Sequence, residues 1–254
     1  MGGRPLGQHF LSDPAVIEQI LDSVSLGSGQ RVLEIGPGRG ALTYPMLLAG
    51  AQVVAVEVDP KLAARLKVPA QGPGQLEIVQ QDFLEVNLEE LLPNPGWQVV
   101  ANLPYYITTP ILERLLQRGH GRIDTMWLMM QHEVAERIVS PACRLSGSLT
   151  HFVQYHAQAE YLFRIPPTAF DPPPNVDSAV VRFCMKAAPE DCRHDRFFHI
   201  LRRAFAQRRK MLRTSLKGVL QPEHFEAAGV DSERRPETLH FEEFLALERS
   251  SRQG

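Results

Sequence analysis

The sequence predicts an α/β fold built on a parallel sheet, followed by a small helical segment. Three observations carry this. Short, almost purely apolar runs recur along the first two thirds of the chain, separated by stretches long enough for a helix. A glycine-rich turn follows the first of those runs. A polar, proline-marked stretch, Lys186-Ala187-Ala188-Pro189-Glu190-Asp191, then separates this pattern from a strongly basic tail. The boundary is placed there, giving a domain over 1–188 and a second over 189–254. With 254 residues, 44% hydrophobic and 22% charged, the chain can form a sizeable core without disulfide or metal staples.

The elements follow in order. Asp13-Pro14 opens a helix, Asp as cap and Pro at the first helical position, and Val16, Ile17, Ile20, Leu21 and Val24 continue it at helical spacing. Arg31–Ile35, Gln52–Val56, Leu76–Val79, Gln98–Ala101 and Thr125–Met130 read as buried strands. Thr109-Pro110 is expected to cap the helix after the fourth strand. Phe197, Leu201, Phe205, Leu212 and Leu216 share one face of a predicted helix, with Arg202, Arg209, Arg213 and Lys217 on another.

Composition narrows the function. No run of about 18 uncharged apolar residues is present, so no membrane helix is expected. The first residues, Met1-Gly2-Gly3-Arg4-Pro5, lack the apolar core of a signal peptide. Three cysteines without C-x-x-C spacing fit a reducing cytosol, so a cytoplasmic protein is expected. The nine histidines show no zinc-ligand spacing, and no metal site is expected. Net charge is −2, but residues 193–217 carry nine Lys/Arg and only Asp195. One basic stripe on an otherwise acidic chain points to a local polyanion contact, such as nucleic acid phosphates.

In parallel sheets ligands bind beyond the carboxyl ends of the strands, so the residues after each strand are the candidate site. After the first comes Gly36-Pro37-Gly38-Arg39-Gly40, which lets backbone approach a bound molecule. It reads both as G-x-G-x-G and as G-x-G-x-x-A. After the second comes Glu57, 21 residues past Gly36, where an acid can accept both hydroxyl protons of a ribose. After the third comes Asp82, which can accept from an adenine amino group or cap its own loop. These features specify an adenosine-containing cofactor without separating NAD from S-adenosylmethionine.

After the fourth strand comes Asn102-Leu103-Pro104-Tyr105, the sharpest signal. The exocyclic amine of a nucleobase is a poor nucleophile because its lone pair is delocalised into the ring. The Asn102 side-chain oxygen and a nearby backbone carbonyl can hold both N–H groups and favour a pyramidal nitrogen. Tyr105 can stack on a base drawn out of its stack.

Gly7-Gln8-His9-Phe10-Leu11, Glu34-Ile35-Gly36-Pro37-Gly38, Asn102-Leu103-Pro104-Tyr105 and the run from Pro172 to Arg182 occur in one order. In these the chain resembles the ribosomal RNA adenine N6-dimethyltransferases, most closely the bacterial small-subunit (16S) branch. The resemblance implies a Rossmann-like class I methyltransferase sheet with a small α-helical C-terminal domain, and S-adenosyl-L-methionine as donor. It implies dimethylation of two adjacent adenosines in a hairpin loop near the 3′ end of 16S rRNA, within the small ribosomal subunit or its late assembly intermediate. Carried over by position, His9 and Leu11 border the cofactor, Gly36 and Gly38 its methionine part, Glu57 its ribose and Asp82 its adenine. Asn102 also borders the cofactor and, with Leu103 and Pro104, holds the target amine, and Phe170 lies against the target base opposite Tyr105. Arg202, Arg208, Arg209, Lys210 and Arg213 contact RNA phosphates, and a monomer is expected.

The chain departs from the family pattern at three places: His9 stands for a usual Asn, Asn175 for a usual Lys, and Ser146–Thr150 for a usual Tyr-Gly-Arg-Leu-Ser. Three other readings stay open on sequence: a large-subunit rRNA methyltransferase of the Erm type, a nucleic-acid-binding factor without catalysis, and an NAD-dependent oxidoreductase. The Pro172–Arg182 run speaks against the first, the intact Asn102–Tyr105 motif against the second, and the absence of a hydride-transfer acid or base against the third.

Overall fold

The computed structural model describes residues 8–24, 26–68, 72–140 and 142–252. Gly7 of the first motif and the stretch Met1–Pro5 lie outside the described residues. Nine strands occur among the described residues: β1 (Phe10–Leu11), β2 (Arg31–Ile35), β3 (Gln52–Glu57), β4 (Gln75–Gln80), β5 (Trp97–Asn102), β6 (Ile123–Gln131), β7 (Ala157–Ile165), β8 (Phe170–Asp171) and β9 (Ser178–Met185). The helices are α1 (Pro14–Val24), α2 (Thr43–Leu48), α3 (Pro60–Ala63), α4 (Leu88–Leu91), α5 (Thr108–Arg118), α6 (His132–Val139), α7 (Ser148–His156), α8 (His194–Ala206), α9 (Leu212–Ser215), α10 (Pro222–Ala228) and α11 (Phe241–Ser250).

By packing, the chain divides into two compact units, Met1–Ala135 with Glu160–Met185, and Glu136–Ala159 with Lys186–Gly254. This differs from the single cut expected after Ala188, because α7 packs its aromatic residues onto α8. Phe152 meets Phe198 at 5.4 Å between ring centroids, and Tyr155 meets Phe197 at 5.3 Å.

The first unit holds a seven-stranded sheet in the order β4-β3-β2-β5-β6-β9-β7. Strands β2 to β6 pair in parallel, as the apolar runs predict. Both faces are covered: neighbouring residues Val32 and Leu33 are each fully buried, as are Val99 and Val100 to within 1%. The sheet is nevertheless mixed, since β9 runs antiparallel to β6.

Asp13 caps α1 as expected, its carboxylate accepting from the Ala15 N–H at 2.9 Å. Helix α5 begins one residue before the expected Thr109 cap: Thr108 leads it, and its hydroxyl donates to the Pro104 carbonyl at 3.0 Å. A separate two-stranded ribbon pairs β1 with β8, setting Phe10 opposite Asp171 and Leu11 opposite Phe170.

In the second unit the predicted helix over 197–217 is broken. Helix α8 ends at Ala206 and α9 starts at Leu212. Beyond the turn, the Leu212 and Arg213 N–H groups donate to the Arg234 and Ser232 carbonyls at 2.8 and 2.9 Å, so a neighbouring loop replaces the helical acceptors. The expected linker is held in place. Asp191, at φ 54°, pairs with Arg252 at 2.8 Å and accepts through its carbonyl from Arg249. Glu248, fully buried, accepts from the Arg193 N–H and pairs with Arg252 at 3.2 Å.

Candidate active site

The carboxyl ends of β2, β3, β4 and β5 open onto one cleft of about 1090 Å³, its mouth included. Its walls hold His9, Leu11, Gly36, Gly38, Glu57, Asp82, Asn102, Leu103, Pro104 and Tyr105, so the expected cofactor and amine residues converge.

The floor is the turn after β2. Gly36, Gly38 and Gly40 all have positive φ, at 67°, 57° and 85°, which selects the G-x-G-x-G reading. A Cβ on Gly38 would lie 3.1 Å from the Phe10 ring, whereas one on Gly36 would meet nothing within 4 Å. Gly36 is thus required for its backbone conformation, and Gly38 also for the close approach of the ribbon. Above this turn the Arg39 guanidinium lies 4.2 Å from the Phe10 ring centroid and pairs with Asp171 at 2.9 Å, tying the turn to both strands of the ribbon.

Glu57 is nearly buried and pre-oriented: its two oxygens accept from the Gly38 and Asp59 N–H groups at 3.1 and 2.9 Å. Each oxygen retains a second lone pair for a diol. Asp82 caps its own turn, accepting from the Leu84 N–H at 2.9 Å, and also lines the cleft. The cap reading is seen directly, and the place in the cleft leaves its other oxygen available to a ligand.

Sequence reasoning gave Glu34 no role of its own. It is 2% exposed and lines the cleft, and it accepts from the Thr43 hydroxyl at 2.6 Å. Burial, together with the nearby Glu57 charge and against the Thr43 hydrogen bond, pushes its carboxyl up to about 8. The signal was an acid inside an apolar strand, a position that costs free energy unless it is partnered or protonated. Tyr106, 59% exposed at the mouth, is a second residue the sequence did not single out.

At the end of β5 the Asn102 side-chain N–H donates to the His9 carbonyl at 3.2 Å, and the His9 ring nitrogen Nδ1 is 2.8 Å from the Pro172 carbonyl. A carbonyl only accepts, so Nδ1 carries the proton. The His9 ring stacks on Tyr105 with centroids 5.8 Å apart, and the Tyr105 hydroxyl lies 2.6 Å from Ser178 Oγ. Phe170 does not reach the cleft: it is 4% exposed and packs in the core with Leu11, Ile20 and Val180. Its partner in the ribbon, Leu11, lines the cleft, whereas Phe170 itself is not among the lining residues.

The glycine turn, the diol-ready carboxylate and the second acid at the rim fit an adenosine cofactor with a charged tail. The Asn102 amide fits a nucleobase amine. Among the described residues no cluster of three or more His, Cys, Asp or Glu could hold a metal, and no helix is long and apolar enough to cross a membrane.

The basic residues lie on the second unit. Arg202, Arg209 and Lys210 are exposed and pair with no carboxylate among the described residues. Arg213 pairs with Glu233 at 3.1 Å on the surface. Arg208, with its side chain 41% exposed, bonds Glu237 at 2.7 Å and the Arg144 carbonyl.

A family model described as ribosomal RNA adenine dimethylase matches residues 3–252. The chain is 41% identical over 255 residues to ribosomal RNA small subunit methyltransferase A of Alcanivorax borkumensis, covering 98% of this chain and 90% of that protein. It is 44% identical over 248 residues to the protein of the same name from Pseudomonas fluorescens, covering 96% and 92%. Among solved structures it matches a dimethyladenosine transferase from Plasmodium falciparum at TM-score 0.81 and 23% identity, covering 94% and 96%. It matches the 23S rRNA methyltransferase ErmE at TM-score 0.75 and 27% identity, covering 96% and 100%.

Proposed function

This chain belongs to the ribosomal RNA adenine dimethylase family, and on that premise we propose that it dimethylates N6 of two adjacent adenosines in a hairpin loop near the 3′ end of 16S rRNA. It is an S-adenosylmethionine-dependent rRNA methyltransferase with a Rossmann-like sheet. Its substrate is the small ribosomal subunit or a late assembly intermediate of it. Support for the small subunit comes from relatives above 40% identity that carry that name.

The observation that carries the mechanism is the pinned Asn102 amide. Because Nδ2 is engaged by the His9 carbonyl, Oδ1 is left to accept from the target amine. The Pro104 carbonyl already accepts from the Thr108 hydroxyl and the Ile107 N–H. The Leu103 carbonyl is therefore the second acceptor. Holding both N–H groups localises the nitrogen lone pair. S-adenosylmethionine, when bound, supplies an electrophilic methyl group on a sulfonium that leaves neutral. Glu57 holds its ribose hydroxyls, Asp82 its adenine amine, and the Gly36–Gly38 backbone with His9 and Leu11 borders its methionine end. Tyr105 stacks on the extruded base, and Phe170 supports the ribbon from the core side. No residue need act as a strong base, because the nitrogen loses its proton readily once methylated; the catalytic gain is orientation.

Arg202, Arg209 and Lys210 contact phosphates, with Arg213 adding to them when Glu233 is displaced. The active form is read as a monomer, and the three free cysteines suit the reducing cytoplasm. The test is methyl transfer from labelled S-adenosylmethionine to unmodified small and large subunits side by side. Label confined to the small subunit is expected; label confined to the large subunit makes the chain an enzyme of the ErmE substrate type.

A further inference from the structure

We propose that Leu145 and Met211 form an apolar wedge that docks against ribose and base faces of the RNA between phosphates held by neighbouring cations; this rests on the reading of the chain as an rRNA methyltransferase. Both side chains are exposed, at 47% and 40%. They sit on adjoining loops of the second unit, because the Arg208 guanidinium donates to the Arg144 carbonyl from the turn that leads into Met211.

The surrounding backbone holds each side chain outward. In the first loop the Ser146 N–H donates to the Cys143 carbonyl at 2.9 Å, and Ser146 is fully buried, its hydroxyl 3.4 Å from His151 Nε2. Leu145 precedes this anchored residue and projects from the turn. In the second loop Met211 is the extended residue before α9, and the next residue, Leu212, is fully buried with its N–H bonded to the Arg234 carbonyl at 2.8 Å.

The rim is cationic. Arg144, Arg209 and Lys210 are exposed and pair with no carboxylate among the described residues. Two acids of the same unit are occupied, Glu237 by Arg208 and Glu233 by Arg213. Apolar side chains flanked in sequence by exposed cations suit a polyanion that also offers apolar faces. RNA does so: its wide, shallow minor groove and its loops expose riboses and bases beside the phosphates. Leu and Met are side chains that act as wedges at such sites.

The two contributions separate by salt, since only phosphate contacts release counterions. Affinity for unmodified small subunits is measured across a KCl series for wild type, Leu145→Ser/Met211→Ser and Arg209→Ala/Lys210→Ala. The serine pair is expected to weaken binding roughly tenfold at every salt with an unchanged slope. The alanine pair is expected to flatten the slope by about 1.4 to 1.8. Unchanged S-adenosylmethionine affinity and melting temperature confirm folding, and the single Leu145→Gln or Met211→Gln variant replaces a pair that does not fold. Wild-type affinity for the serine pair at every salt overturns the wedge. So does a wild-type dimer that the serine pair converts to monomer, because the surface then belongs to a second copy. Wild type that binds the subunit but transfers no methyl group overturns the enzymatic reading alone, and the salt series still decides the wedge.

Discussion

The side-chain amide of Asn102 donates to the backbone carbonyl of His9 at 3.2 Å, joining the end of β5 to a residue 93 positions earlier in the chain. The amide is thereby held by the protein through its nitrogen while Asn102 lines the cleft. Asn102→Ala is expected to lower kcat by about a hundredfold or more, in the range found for removing one oriented catalytic hydrogen bond. S-adenosylmethionine affinity is expected to change by less than about fivefold. Single-turnover rates and calorimetry check this; equal losses in both contradict the assigned role.

Glu57 behaves in the opposite way. Its carboxylate holds the Gly38 and Asp59 N–H groups and faces the cleft. Glu57→Ala is expected to weaken S-adenosylmethionine binding by roughly tenfold to a hundredfold, the range for losing one or two hydrogen bonds to a charged group. At saturating cofactor kcat recovers most of its value. A full loss of kcat with intact affinity would place Glu57 in the chemistry instead.

Glu34 makes stability fall as pH rises. Its carboxyl, at about 8 in the fold against 4.5 unperturbed, binds a proton more tightly folded than unfolded. Its contribution is therefore full below 4.5 and is lost as pH climbs to 8. Glu34→Gln, which keeps a neutral hydrogen-bonding side chain, is expected to flatten the fall in Tm between those pH values. A wild-type and variant difference that does not change with pH would show that Glu34 is ionised throughout.

His151 acts from the acid side. It packs between Phe205 and Phe244, and burial pulls its imidazole down to about 4. The unfolded chain takes up the proton near 6.5 while the folded one does not, so stability is lost as pH falls from 6.5 towards 4. His151→Phe is expected to reduce that acid loss, as followed by denaturant unfolding at pH 7 and pH 5. An undiminished acid loss in the variant assigns it to other groups.

Strand-end logic made most of the cleft legible. Gly36, Glu57, Asp82 and Asn102 each follow an apolar run, and the parallel sheet brings those positions together whatever lies between them. What was not legible depends on contacts distant in sequence. The periodicity through Phe205, Leu212 and Leu216 is uninterrupted, and only the carbonyls of Ser232 and Arg234 reveal that the helix stops. Phe170 is buried against Leu11, Ile20 and Val180, neighbours distant in sequence that no local pattern encodes. Arg208 reads as one cation among nine until Glu237 and the Arg144 carbonyl claim it. Glu34 was visible but silent, because its meaning lies in its burial beside Glu57.

The most direct test is nucleoside analysis of 16S rRNA from unmodified small subunits incubated with S-adenosylmethionine and either wild type or Asn102→Ala. N6,N6-dimethyladenosine is expected at two adjacent positions near the 3′ end with wild type, and none with the variant at equal cofactor occupancy. Dimethyladenosine formed equally by Asn102→Ala, or no methylated adenosine with wild type, would contradict it.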